Sequence, residues 1–416
     1  MKILWITNMP FAYHNDMLGK TNAPVISGSW LYAAYESAKT DTEIDLHIAT
    51  VANVAGKIDG VSEGNTFHIL PGGDMVNYAP KEAKNIKLWT DLAKDVTPDV
   101  VMLWGTEAKF AYTASLAFKD KPIVIFVQGI LKSIVSHFYD GVPQRFICCT
   151  LRDYVERFTG KGAYRIYQQQ LPLEKKIYEM ATGVVVENDW CKYQCKSLNP
   201  DLVILRGDLP IRCPFYNKKW RMENIEKYSI FTNAGGATIK GHHILFQALA
   251  VVKKRYPQVK LYIPGQNYME LLDNVKRRSG YVKYLKTIFY GNQLDENVVF
   301  TGTLTAEQMA EMISLSHIYV MPSMAENHSS SLIEAMLVGA PVISSLVGGV
   351  AGLIKHKYNG LLYNSLESET LAGLICSLFD DENECLTLST NAIQMRQTRG
   401  NNFGERMRDF YSQMIR

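Results

Sequence analysis

Two acids, Glu326 and Glu334, stand eight positions apart in the stretch Pro322-Ser323-Met324-Ala325-Glu326-Asn327-His328-Ser329-Ser330-Ser331-Leu332-Ile333-Glu334-Ala335-Met336. Ile318 to Met321 reads as a buried strand, Glu326 to Ser331 as its loop, and Leu332 to Val338 as an apolar helix stopped by Gly339 and Pro341. One acid therefore belongs to a loop and the other to a helix. Backbone N–H groups at that helix start suit a phosphate, and both carboxylates can accept hydrogen bonds from sugar hydroxyls. Two other roles fit the same residues. The acids could form a hydrolase pair, one the general acid and the other nucleophile or base. Alternatively, Ser331-Leu332-Ile333-Glu334 could be a capping box in which Glu334 only satisfies a backbone donor.

A second candidate is Ala234-Gly235-Gly236-Ala237-Thr238-Ile239-Lys240-Gly241, a glycine-rich turn between the strand Tyr228 to Asn233 and the helix His242 to Arg255. Glycine lets a backbone approach a diphosphate, and Lys240 can neutralise it. Equally, Gly235-Gly236 is a tight turn and Lys240 a solvated charge.

The elements that must position these residues alternate between short β-rich runs and helical patterns, as parallel sheets require. Strands are expected at Lys2 to Asn8, Ile44 to Val51, Phe67 to Leu70, Asp99 to Trp104, Pro122 to Val127, Gly183 to Val186 and Leu202 to Leu205. After the polar stretch Asn217 to Lys227, a second alternation brings strands at Tyr228 to Asn233, Val259 to Ile263 and Val298 to Thr301, and a helix from Thr305 to Leu315. The chain divides accordingly into an α/β, Rossmann-like domain over residues 1–210, a second over 211–400, and a terminal helix over 401–416. Ligands of such sheets lie beyond the carboxyl ends of strands. The loops to watch are therefore Gly28-Ser29 before the helix Trp30 to Ala38, Trp104-Gly105-Thr106-Glu107, Gln128-Gly129 and Gly302-Thr303.

The bulk properties exclude several classes. A chain of 416 residues, 47% hydrophobic and 20% charged, with net charge +3, is a globular protein without the basic excess of a nucleic-acid binder. No apolar run approaches a membrane span, and Met1 to Asn8 reads as a first strand rather than a signal peptide. Seven scattered cysteines suggest a reducing compartment, with Cys191 and Cys195 buried one helical turn apart rather than binding metal. From Leu131 to Lys176, Ile134, Phe138, Phe146 and Tyr164 interleave with Lys132, Arg145, Arg152, Arg157, Lys161 and Arg165. Such a pattern suits an anionic lipid surface, a lipid-diphosphate acceptor or a solvated helix over a core.

The block from Glu326 onward resembles retaining glycosyltransferases of the GT-B fold, family 4. Glu326 and Glu334 match that family's E-x7-E signature. Glu334 to Ser345 is similar to its E-A-M-x-x-G-x-P-V run, and Val347-Gly348-Gly349 and Tyr358 to Leu362 continue the likeness. The resemblance implies two Rossmann-like parallel-sheet domains facing across a cleft, with the terminal helix crossing back to the first; spacing alone fits an ordinary helix on its own domain as well. It implies transfer of a hexose or N-acetylhexosamine, with retention, from a nucleoside-diphosphate sugar, UDP foremost. The acceptor would be a hydroxyl of a glycan or lipid-linked saccharide in cell-surface polysaccharide or glycoconjugate synthesis. No cofactor or metal is implied. The expected place is cytoplasmic, with peripheral contact at the inner face of the membrane. A sugar-nucleotide epimerase and a non-catalytic partner or glycan-binding protein are the alternatives.

By the same resemblance, Glu326 holds the sugar hydroxyls, Glu334 the nucleotide ribose, and Lys240 the diphosphate, with Gln128 positioning the reacting groups. Donor contacts fall to Gly28, Ser29, Gly235, Gly236, Arg206, Thr303, Asn327, His328, Ser329, Ser330 and Ser331. The sequence departs from the family in three places. Gly236 and Ala237 stand where many members carry an arginine, Gln128 where many carry a histidine, and Ser29 where the second glycine of a G-G loop is usual.

Overall fold

A computed structural model of the chain describes residues 1–20, 29–72, 83–160, 162–232, 235–270, 279–398 and 402–415. The chain forms two compact units. The first comprises Met1–Lys132, Ala163–Pro210 and Gly400–Arg416, and the second Ser133–Gly162 and Ile211–Arg399.

The first unit is built on β1 (Lys2–Thr7), β2 (Asp45–Ala52), β3 (Ile58–Ser62), β4 (Asn65–Pro71), β5 (Val100–Trp104), β6 (Ile123–Phe126), β7 (Gly183–Val186) and β8 (Val203–Arg206). They lie in the order β3-β4-β2-β1-β5-β6-β7-β8. All neighbours are parallel except β3 and β4. Strands β5, β6 and β7 are buried along their whole length, as a sheet covered on both faces demands. Strand β3 is an unexpected edge, half-exposed and alternating, so it lacks the apolar run that marks its neighbours. Its hairpin turns on Glu63 and Gly64, with φ of 52° and 79°, the left-handed pair that a two-residue type I′ turn requires.

The second unit carries β9 (Glu226–Thr232), β10 (Lys260–Ile263), β11 (Val298–Phe300), β12 (Ser316–Met321), β13 (Val342–Ser345) and β14 (Leu361–Tyr363). Their order is β11-β10-β9-β12-β13-β14, all parallel. In each sheet the direction of winding reverses once, between β1 and β5 in the first and between β9 and β12 in the second. Those reversals are the places where an open α/β sheet leaves a crevice for ligands.

Residues 133–162, read from sequence as part of the first domain, pack with the second unit instead. Val142 and Phe146 join its core. The His243 ring meets the Asp140 carbonyl at 2.9 Å, and the Gly280 N–H donates to Asp153 Oδ2 at 2.9 Å. A Cβ on Gly280 would stand 2.0 Å from the Phe146 carbonyl oxygen, so only glycine permits that approach.

The helix Phe403–Ile415 packs in the first unit. Phe403, Met407, Phe410 and Tyr411 are buried beside Trp5, Trp104 and Phe126, and Trp5 Nε1 donates to the Tyr411 hydroxyl at 3.0 Å. None of the seven cysteines is in a disulfide; Cys191 and Cys195 lie buried on the helix Asp189–Leu198, and burial pushes both thiols above their ordinary range.

Candidate functional site

The helix Ser330–Val338 follows β12 and is apolar all round, which suits a helix enclosed by its unit: Leu332, Ile333, Ala335, Met336, Leu337 and Val338 are fully buried. Ser329 caps it, accepting the Leu332 N–H at 3.3 Å, and Gly339 ends it at φ 88°. Ser331 is therefore not the cap, and Glu334 does not close a capping box. The Glu334 carboxylate instead accepts two N–H bonds from Arg212, 2.7 Å from Nη2 and 3.1 Å from Nε, both at Oε1. Glu334 is buried, and burial pushes its pKa up against the downward pull of Arg212. Arg212 in turn lies 4.9 Å over the Phe215 ring. No sequence signal marks Arg212, which sits in the linker region 122 residues away from its partner.

Lys240 reaches Glu326 because two loops are stitched together. After β9, a 3-10 turn over Thr238–Lys240 ends at Gly241, whose φ is 67°. A Cβ there would lie 1.8 Å from the Pro322 carbonyl oxygen, so any side chain would force the two loops apart. The Met324 N–H donates to the Ile239 carbonyl at 2.8 Å. Lys240 Nζ then donates to Glu326 Oε1 at 2.7 Å, and the Ser323 hydroxyl donates to the same oxygen at 2.7 Å. The Gly349 N–H donates to the Glu326 carbonyl at 3.3 Å, tying in the loop after β13. The glycine pair has a packing role too: a Cβ on Gly235 would press on Lys240 Cγ at 3.0 Å, and one on Gly236 on the Tyr268 ring at 3.1 Å.

The second unit thus brings Lys240, Glu326, Ser329, Ser331 and Glu334 to the carboxyl ends of β9 and β12, at its winding reversal, with Arg212 and Ser323 as members that sequence reasoning missed. Asn327 and Ser329 are buried; His328, Ser330 and Ser331 are half-buried. Thr303 is exposed at the end of the edge strand β11, two strands away from β9. The Lys240–Glu326 pair is only partly withdrawn from solvent, its side chains 30% and 12% exposed, so the lysine can exchange its partner for an incoming anion at modest cost.

Four other candidates fall in the stretches of chain that make up the first unit. Gly28 lies outside the described residues, and Ser29 opens the helix Ser29–Ala38. Arg206, at the end of β8, faces Asp189 at 3.5 Å. Gln128 follows β6, and its Oε1 accepts from the Asn8 amide at 2.8 Å. Around it the strand ends gather Glu107 and Glu174, both pushed up by burial to about 7. Glu174 accepts from the Thr106 hydroxyl at 2.9 Å and the Leu131 N–H at 3.2 Å.

Residues 216–395 match the family described as glycosyl transferases group 1. The chain is 27% identical over 143 residues to a D-inositol 3-phosphate glycosyltransferase of Pseudarthrobacter chlorophenolicus, covering 34% of this chain and 32% of that protein. It is 30% identical over 335 residues to an uncharacterized glycosyltransferase of Methanocaldococcus jannaschii, covering 76% of this chain and 74% of the relative. Against the first curated relatives, the chain spans about a third of their length. The crystal structure of Anabaena HepE in complex with UDP-glucose matches with a TM-score of 0.68 at 17% identity, over 99% of this chain and 100% of that one, a likeness of fold in the GT-B class.

Proposed function

We infer the function from a single premise: the chain belongs to the family of glycosyl transferases described as group 1. Within it we assign this chain the retaining transfer of a sugar from a nucleoside-diphosphate donor, UDP foremost, to a hydroxyl of a glycan or lipid-linked saccharide. The observation that carries the reading is the Lys240–Glu326 pair, bonded at 2.7 Å and held by two stitched loops at the sheet's winding reversal.

The donor diphosphate takes the place of Glu326 as partner of Lys240, and Glu326, released, accepts from the sugar hydroxyls. Glu334, oriented by Arg212, receives the ribose hydroxyls. As the bond from anomeric carbon to phosphate oxygen breaks, its electron pair passes to that oxygen, where Lys240 and the amides at the start of the helix Ser330–Val338 stabilise the charge. The acceptor hydroxyl attacks from the same face and gives its proton to the departing phosphate. The cation that neutralises the diphosphate is then a side chain, so a chelator leaves turnover unchanged. The named activity of the inositol-phosphate relative and the UDP-glucose held by HepE support a hydroxyl acceptor and a uridine donor.

Thermal shift with UDP, GDP and ADP tests the donor site, because a ligand bound only by the native state raises the Tm. A rise with one nucleotide, followed by its release from the matching sugar nucleotide, is the expected result. No rise with any of the three sinks the reading; a rise without turnover in any acceptor mixture points to the non-catalytic alternative.

A further inference from the structure

The helix Leu151–Thr159 carries its apolar stripe on the outside. Leu151, Tyr154, Val155 and Phe158 recur at the spacing of one helical face, and they are 67%, 64%, 48% and 83% exposed. An amphipathic helix of a globular domain turns that face to the core, yet no residue of this one is buried. The helix is nonetheless firmly built. Thr150 and Asp153 form a capping box, Gly160 closes the end in the left-handed region, and Asp153 also accepts the N–H of Gly280, which anchors the helix to its unit by its polar side.

The charges around the stripe are uneven. Asp153 is engaged by backbone N–H groups, and Glu156 by Arg152 at 2.7 Å. Arg157 on the same helix, Arg145 just before it, and Lys283 and Lys286 on the neighbouring helix Gly280–Gly291 are exposed cations. An exposed aromatic and aliphatic stripe with a basic border is the arrangement that lies in a lipid headgroup layer, rings sunk among the acyl chains and cations against phosphates.

We propose that the helix Leu151–Thr159 is a docking element for an anionic membrane surface, seating Leu151, Tyr154, Val155 and Phe158 in the bilayer interface with Arg145, Arg157, Lys283 and Lys286 against the headgroups. Lipid, rather than a protein groove, is the occupant that the basic border selects. This inference is independent of the donor site.

Co-sedimentation of the full chain with vesicles of phosphatidylcholine alone, or of phosphatidylcholine with phosphatidylglycerol, tests it. Binding is expected to the anionic vesicles only and to weaken with added salt. Tyr154→Ser with Phe158→Ser is expected to lower it by about tenfold or more, with the Tm unchanged because these side chains are exposed. Arg157→Glu with Lys283→Glu is expected to abolish the preference for anionic lipid. Absence of binding to anionic vesicles, or binding indifferent to both pairs of substitutions, overturns the proposal. So does a native dimer in solution that the Tyr154 and Phe158 substitutions convert to a monomer, because a second copy would then cover the stripe.

Discussion

At the winding reversal of the second unit, the strand ends carry formal charges in matched pairs, Lys240 with Glu326 and Arg212 with Glu334. At the corresponding reversal of the first unit, the loops after β1 and β5 bring Asn8 and Glu107 to the neighbourhood of Gln128, and burial holds Glu107 and its neighbour Glu174 near the neutral acid. The same topological position is thus finished in two chemistries. One places cations against carboxylates in partial contact with solvent, which prepares it to take up an anion. The other offers amides and titrating acids, suited to hydrogen bonding with an uncharged polar group. Sheet topology decides where a crevice opens; the side chains at the strand ends decide what charge it will accept.

Four substitutions probe this contrast. Arg212→Met should have the largest effect, because it leaves Glu334 buried without its cation; a loss of about 3–5 kcal/mol in denaturant unfolding is expected. An unchanged stability would mean that Glu334 is protonated there and that the second unit resembles the first after all. Lys240→Ala should reduce nucleoside-diphosphate release by about 10²–10³-fold, the scale of losing one preorganised charge stabiliser. The same change should alter stability by less than about 1 kcal/mol, since its pair is partly exposed. Ser323→Ala removes one of the two donors at Glu326 Oε1 and should cost about 0.5–1.5 kcal/mol, read as a small rise in KM for the donor.

Glu107→Gln is set apart by its dependence on pH, and its difference from the parent is smallest at the acid end. The folded-state pKa of Glu107 is raised from 4.5 to about 7, so the folded chain holds a proton that the unfolded chain releases across that window. The associated stability is present below 4.5 and lost as pH rises through about 7. Glu107→Gln, permanently neutral, should therefore unfold with nearly the parental Tm at the acid end of the window and a higher one at its neutral end. The histidines run the other way. Burial pushes His14 and His243 down to about 4 from 6.5, so stability is lost as pH falls from 6.5 toward 4, and the two slopes must be separated by comparing variant with parent at each pH. A Glu107→Gln difference that stays flat across the window would break the contrast between the units.

The parallel strands were readable because burial on both faces forces continuous apolar runs such as Val100 to Trp104 and Ile318 to Met321. The half-exposed β3 offered no such run. Glu326 and Lys240 were readable because their loops carry glycines and a spacing that few backbones need. Arg212 and Glu174 were not, because each is defined by a partner far along the chain, and a lone arginine in a linker or an acid within the helix Ala163–Met180 has no local mark. The assignment of residues 133–162 to the second unit was hidden for the same reason. Asp140, Phe146 and Asp153 acquire their meaning only against His243 and Gly280, more than a hundred residues later.

The helix Phe403–Ile415 bears on the order in which the chain can be assembled during synthesis. Its Phe403, Met407, Phe410 and Tyr411 complete a core that includes Trp5, Trp104 and Phe126, so the unit that leaves the ribosome first is the last to be sealed. Roughly 190 residues separate Pro210 from that helix, and at about 5–20 residues per second they take on the order of 10–40 s to translate. Over that interval the second unit gains nearly its whole sequence while an aromatic face of the first stays uncovered, a substrate for chaperones and a place where nascent chains can meet.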